Sequence, residues 1–265
     1  MNFSLNLSLS LGRIWAIASN VFRETVREQV LYLSLLYTLI LVSAMIMLPE
    51  FSYDSSAKMI VDTGIAAIEV VSLIVAVLVG TNLINKEIDK RTIFILIAKP
   101  MHRAEFVLGK HLGLSAVVGA LVAIMTIIFC LLMAIKQIPI PIPAILTANF
   151  FIFWQIMLLG AIAIFFGTFT GSLIASLLTL AAYLIGNFSR DLLLLGEISK
   201  NPSFQLITRT LYMILPDLSR ANIKNEAVYN ILPSLLDMFN NGVYILSYAL
   251  LVLAISILIF SRRQF

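Results

Sequence analysis

Six stretches of the chain run almost without polar side chains, near Leu31–Leu48, Thr63–Ile84, Leu112–Ile135, Ala148–Phe166, Leu173–Gly186 and Val243–Phe260. A bilayer core about 30 Å thick takes roughly 20 apolar residues in helical form. Helices are what such runs must form, because lipid offers no partner to an unbonded peptide group. The fifth run is short and has to borrow from its flanks. Only Gly167-Thr168-Phe169-Thr170-Gly171 separates the fourth run from the fifth. That segment predicts a tight turn, since an unbroken run of the combined length would overshoot the membrane. The pattern predicts an all-α integral membrane protein of about six transmembrane helices, forming a single transmembrane domain over residues 1–265.

Periodicity changes outside these runs. Over Arg13–Val30, Ile14, Ile17, Ala18, Val21, Phe22, Thr25 and Val26 recur at helical spacing, with Arg23, Glu24, Arg27 and Glu28 on the opposite face. This predicts an N-terminal amphipathic helix in the membrane interface, its apolar side in lipid and its charges in water. It serves either as an anchor or as an elbow that also touches a cytoplasmic partner. After the second run comes a charged segment, Asn85-Lys86-Glu87-Ile88-Asp89-Lys90-Arg91-Thr92, then an apolar patch, a turn at Lys99-Pro100, and an amphipathic stretch to Lys110. Pro100 biases Lys99 away from helix. These charges either enforce topology or dock a partner, loops being where membrane scaffolds meet other proteins. Alternating proline over Ile138–Pro143 predicts a stiff extended connector. The segment Asn187–Asn241 is cut into short helices by Pro202, Pro216 and Pro233. It reads either as re-entrant or interfacial helices bordering an exit, or as a plain surface subdomain.

Composition agrees with lipid as the solvent. Hydrophobic residues make up 60% and charged residues 12%, and the mean hydropathy is +1.01; a soluble domain carries about 25% charged residues. The lone cysteine, Cys130, excludes a disulfide framework, and His102 and His111 are too few and too far apart for a metal site. Met1–Ser10 lacks a basic region before its apolar residues, so the first span is expected to act as the insertion signal. Eleven of the eighteen basic residues fall in the N-terminal stretch, the 85–110 loop and the C-terminus. By the positive-inside rule both termini and that loop are cytoplasmic, and residues 187–241 are external.

No nucleotide or hydrolase signature is present. Gly109-Lys110-His111 lacks both the leading glycine and the hydroxyl of a phosphate-binding loop, and there is no G-x-S-x-G or H-E-x-x-H. The chain is therefore not expected to be an enzyme, and any ATP chemistry belongs to another chain. Glu69 is the one acidic residue within the runs. An ionisable group at membrane depth is costly unless paired or hydrated, so Glu69 either serves a pathway or packing role or is a shallow, solvated carboxylate. Gly109/Gly113, Gly160/Ala163 and Gly167/Gly171 supply small faces where helices can approach closely.

The amphipathic helix before the first span, followed by Glu87-x-Asp89-Lys90-Arg91-Thr92 … Ile97-Ala98-Lys99-Pro100-Met101-His102-Arg103-x-Glu105-Phe106-x-x-Gly109-Lys110 leading into span three, resembles the ABC-2 type permeases. These are membrane subunits of ATP-binding-cassette transporters. The resemblance implies a type V exporter architecture in which the segment near Asn85–Thr92 is a coupling helix docking on a separate ATPase subunit. Glu87, Asp89, Lys90 and Arg91 would carry that contact, with Arg23 and Arg27 acting through the elbow helix. It further implies a dimer of permease halves, expected to be a homodimer, with ATP and Mg on the partner ATPase and no cofactor in this chain. The setting implied is the bacterial inner (plasma) membrane, with membrane lipids as neighbours and no nucleic acid. The external helices would gate the exit, and Glu69 is the candidate pathway residue. The competing reading is a non-transporting membrane scaffold or assembly factor that binds a cytoplasmic partner.

Overall fold

The apolar runs fold as helices, as a lipid solvent demands. The computed structural model describes residues 2–51, 56–89, 102–138, 142–199 and 201–262, and among these there is no strand. Helix α1 covers Asn2–Thr25 and passes through a single π-helical turn, Val26–Val30, into α2, Leu31–Phe51. Backbone angles stay helical at both junctions, Thr25 and Leu31, so the N-terminal helix and the first span are one continuous element. Helices α3 (Ser56–Asp89), α4 (Arg103–Ile135) and α5 (Ile142–Gly167) follow. Then come α6 (Ser172–Asn187), α7 (Ser189–Ile198), α8 (Pro202–Ile214), a 3-10 turn at Leu218–Ala221, α9 (Lys224–Val228) and α10 (Leu235–Arg262).

Among the described residues, five helices are each long and apolar enough to cross a membrane, and a sixth crossing is available if α6 and α7 count as one span bent by 59°. The bend falls at Phe188, just past the run that is too short by itself. The predicted turn at residues 167–171 lies between α5 and α6, and Thr168 and Thr170 N–H groups close it onto Ile164 and Phe166 carbonyls. At 34 and 33 residues, α3 and α4 are about 50 Å long at 1.5 Å per residue. They therefore project well beyond a 30 Å core.

Helices α3 and α5 form the centre of the bundle, with 67% of the most apolar window of each buried, against 22% for α2 and 33% for α10. Gly80 of α3 meets α5 so closely that an added Cβ would lie 2.8 Å from the Cβ of Ala163. Around this pair, α4 runs antiparallel to α3, and α1 runs parallel to α4.

The course of α1 follows from glycine. A Cβ on Gly109 would stand 2.8 Å from the Cβ of Ile17, and one on Gly113 2.7 Å from that of Val21 and 2.8 Å from the Ala18 carbonyl oxygen. Together with the Arg13–Glu105 ion pair at 3.0 Å, these contacts relate α1 to α4 by one constant offset of 92 residues, the signature of parallel packing. Ala18, Val21 and Thr25 are buried, whereas Leu11 and Trp15 remain exposed. The apolar face expected to lie in lipid thus rests on the third span through Ile17, Ala18 and Val21.

Candidate functional sites at the two ends of the bundle

At the basic end, three elements converge on the first two turns of α4. Glu105 occupies the third position of the helix, where its carboxylate accepts from the His102 backbone N–H at 3.3 Å and completes a capping box. Its other oxygen accepts from Arg13 of α1 at 3.0 Å. Five residues on, Lys110 donates to Glu87 of α3 at 3.0 Å, with its side chain only 8% exposed. Arg103 donates to the last carbonyls of α10, Phe260 at 2.6 Å and Ser261 at 2.9 Å. A guanidinium there matches both the orphan carbonyls and the negative end of the helix. Phe106 stacks on Phe260 with ring centroids 5.7 Å apart. The base of α4 therefore ties α1, α3 and α10 into one unit.

Near the other end, a polar cluster sits inside the bundle. Glu69 lies thirteen residues into α3, about 20 Å along its axis, and is 2% exposed. Its Oε1 accepts from the Tyr183 hydroxyl of α6 at 2.7 Å and from the Gln155 amide of α5 at 3.3 Å. Its Oε2 accepts from the ammonium of Lys224 on α9. Gln155 also donates to the Asn187 amide oxygen at 3.2 Å. Three spans and the 187–241 segment thus meet on one carboxylate, and α9 packs against both α3 and α5.

The sequence profile of the family described as ABC-2 family transporter protein matches residues 15–265. The chain belongs to this family. A comparison with curated proteins returned no match. The chain is thus a permease subunit of an ABC transporter, a multi-pass membrane protein of a family that normally works with an ATPase subunit.

Within this permease, the described residues expected to contact an ATPase lie on the N-terminal helix with its π turn and at the end of α3. Asn85–Asp89 are the last residues of α3 rather than a separate helix. Glu87 is paired to Lys110, so it braces the base as well as bordering the loop. Lys90 and Arg91 lie outside the described residues, as does the side chain of Asp89. Arg23 and Arg27 are exposed. The offset that seats α1 on α4 carries Arg23 level with Ser115, more than two turns beyond the Arg13–Glu105 pair. Glu69 is a buried ion pair, not a carboxylate in water.

Sequence reasoning missed Arg13, Glu105 and Arg103 as braces, and Gln155, Tyr183 and Lys224 as partners of Glu69. A signal existed for Glu105 as the third residue of a helix after a Pro turn, and for Gln155 as an amide within an apolar run. Nothing in the sequence marks Lys224, because a 155-residue separation from Glu69 leaves no local trace.

Another buried carboxylate, Asp217, organises the 187–241 segment. It accepts from the hydroxyls of Ser189, at 2.9 Å, and Ser219, and from the guanidinium groups of Arg190 and Arg220 at 3.4 and 3.2 Å. Its own N–H donates to the Tyr244 hydroxyl of α10 at 2.9 Å, and the Arg220 guanidinium lies 4.6 Å from the Tyr244 ring centroid. Burial pushes the Asp217 carboxyl up, but hydrogen bonds from Ser219 and Ser189 and the charge of Arg190 outweigh it and hold the group below the usual carboxylate range. A folded-state pKa below the unfolded one contributes stability that is present above the unfolded pKa, about 3.9, and is lost as pH falls through the folded value. Amide protection across residues 187–241, measured against the intrinsic exchange rate at each pH, should therefore fall below about pH 4. Asp217→Asn should already exchange fast at pH 7 and lose most of that acid sensitivity. An unchanged acid profile in the variant would show that other carboxyls govern the segment.

Proposed function

We propose that the chain is the translocating half of an ATP-driven exporter, a homodimer served by separate ATPase subunits that bind ATP and Mg. In this reading the basic end and both termini face the cytoplasm, and residues 187–241 are external. The observation that carries it is the braced base of α4. A push on the 85–110 loop would not be absorbed locally, because Glu87–Lys110, Arg13–Glu105 and the Arg103 contacts pass it to α3, α1 and α10 together. A rigid lever of this kind suits alternating access driven by a partner's closure. Glu69, eighteen residues before Glu87 on the same α3, would then stand on the path towards the exit.

Docking and transmission should separate experimentally. Arg91 is the best docking anchor, since its planar fork holds a carboxylate with two bonds. Arg91→Ala with Lys90→Ala should weaken co-purification of the cognate ATPase by about 2–5 kcal/mol, the usual cost of a lost desolvated charge pair at an interface. Glu87→Gln should leave that binding nearly intact and reduce cargo-stimulated ATP hydrolysis in lipid nanodiscs, because it breaks the brace instead. Arg23→Ala and Arg27→Ala should act more weakly than either. If the loop variants bind and stimulate the ATPase normally, the loop charges serve topology alone and the coupling assignment fails. If an ATPase binds but no cargo ever stimulates it, the chain is a membrane scaffold.

A further inference from the structure

The Glu69 cluster holds more acceptors than its resident cation uses. An ammonium carries three N–H donors and no acceptor. Lys224 donates to Glu69 Oε2, yet the amide oxygen of Gln155, fully buried beside the same carboxylate, has no hydrogen-bond partner among the described residues. Such a group is ordinarily satisfied, by protein or by water. The tether explains why Lys224 leaves it bare. Its Cα is fixed on α9, a five-residue helix laid against α3 and α5, so the ammonium enters the cluster from one side only.

A free primary ammonium has no such constraint and could donate to Glu69 and Gln155 together. The chemistry of the walls also selects this ligand class. One carboxylate supplies a single negative charge, and the remaining groups are neutral: the Tyr183 hydroxyl and the amides of Gln155 and Asn187. A divalent metal ion prefers a richer set of carboxylates, and among the described residues no cluster of metal-ligating side chains occurs. A quaternary ammonium would leave the amide oxygen unsatisfied.

We propose that Glu69, Gln155 and Tyr183 form a binding site for a primary ammonium ligand, and that Lys224 is an intramolecular occupant which that ligand displaces. Displacement removes the ion pair between α9 and α3, so occupancy of the site loosens the 187–241 segment. A tethered competitor acts at a high effective concentration. The wild-type chain therefore binds such a ligand weakly, and removal of the Lys224 ammonium strengthens binding. The binding claim holds whether or not the chain exports anything, and its test involves no transport.

The test uses the full chain in nanodiscs, comparing ethylammonium with tetramethylammonium chloride at constant ionic strength. Lys224→Ala and Lys224→Met should both melt below the wild type, Met retaining the apolar stem. Ethylammonium should restore at least half of the lost Tm in a saturable manner, and tetramethylammonium should not. Glu69→Gln combined with Lys224→Met should give no response. In the wild type, ethylammonium should quicken amide exchange over residues 224–228. Equal responses to the two cations, or a response that survives Glu69→Gln, would overturn the site. Unchanged exchange in the wild type, up to a hundredfold above the concentration that half-saturates Lys224→Met, would overturn displacement. Should neither Lys224 variant fold, wild-type exchange over residues 224–228 decides alone: quickening by ethylammonium and not by tetramethylammonium supports the site, and an equal or absent response at the highest concentration the nanodiscs tolerate overturns it.

Discussion

Lys224→Met should destabilise the permease by about 3–5 kcal/mol, the range found when one partner of a buried ion pair is removed. The size follows from which partner stays behind. Glu69 is 2% exposed, so removal of the ammonium leaves a buried carboxylate without its counter-charge. Tyr183 and Gln155 still donate to it, but neutral donors replace the missing hydrogen bond and not the missing charge. Glu69→Gln should cost distinctly less, because the Lys224 side chain is 23% exposed and can swing its ammonium outward. The double variant Glu69→Gln/Lys224→Met should recover a large part of the loss, since a buried charge then no longer stands alone. The measurement is a double-mutant cycle on unfolding in a fixed detergent. If Lys224→Met and Glu69→Gln prove equal and additive, the two groups do not interact and the pair holds nothing together.

Gly113→Val should cost about 3 kcal/mol, the upper part of the usual range for overpacking. The contact that must yield is partly backbone. Beyond the Val21 side chain, an added Cβ would lie 2.8 Å from the Ala18 carbonyl oxygen, and a helix backbone moves only as a whole. Helix α1 would have to leave α4, and the Arg13–Glu105 pair would open with it. Gly12→Ala is the internal control. It lies on α1, the other helix of the contact, with nothing within 4 Å of the added Cβ, so it should gain up to about 1 kcal/mol from helix propensity alone. A spin label or disulfide reporter between α1 and α4 would follow the separation directly. A Gly113→Val protein with wild-type stability and an unmoved α1 would show that the offset packing is not what holds the helix in place.

Several features of this permease were decided by the sequence alone. The spans follow from the length of apolar runs, because the bilayer fixes how many residues a crossing needs. The turn at residues 167–171 appears where a run twice too long is broken by glycines and threonines. The loop that carries the family resemblance is local as well, since its charges, its proline and its Gly-Lys lie within one stretch of chain.

Tertiary structure decided what the charges do. Glu87 and Lys110 both read as loop charges, and only the antiparallel packing of α3 on α4 turns them into a brace. The amphipathic pattern in α1 does not say what its apolar face covers. Gly109 and Gly113, some ninety residues away, set that face against α4 by letting the backbones touch. Glu69 could be read equally as a solvated or a buried group, because periodicity fixes which face a residue occupies and not what covers that face. The cover is α9, brought back into the bundle by the 59° bend after α6 and by the hydrogen bonds gathered on Asp217. Hydrophobic pattern is a property of neighbours along the chain, legible one turn at a time. A partner for a buried charge comes from wherever folding brings the chain back, and no local pattern records it.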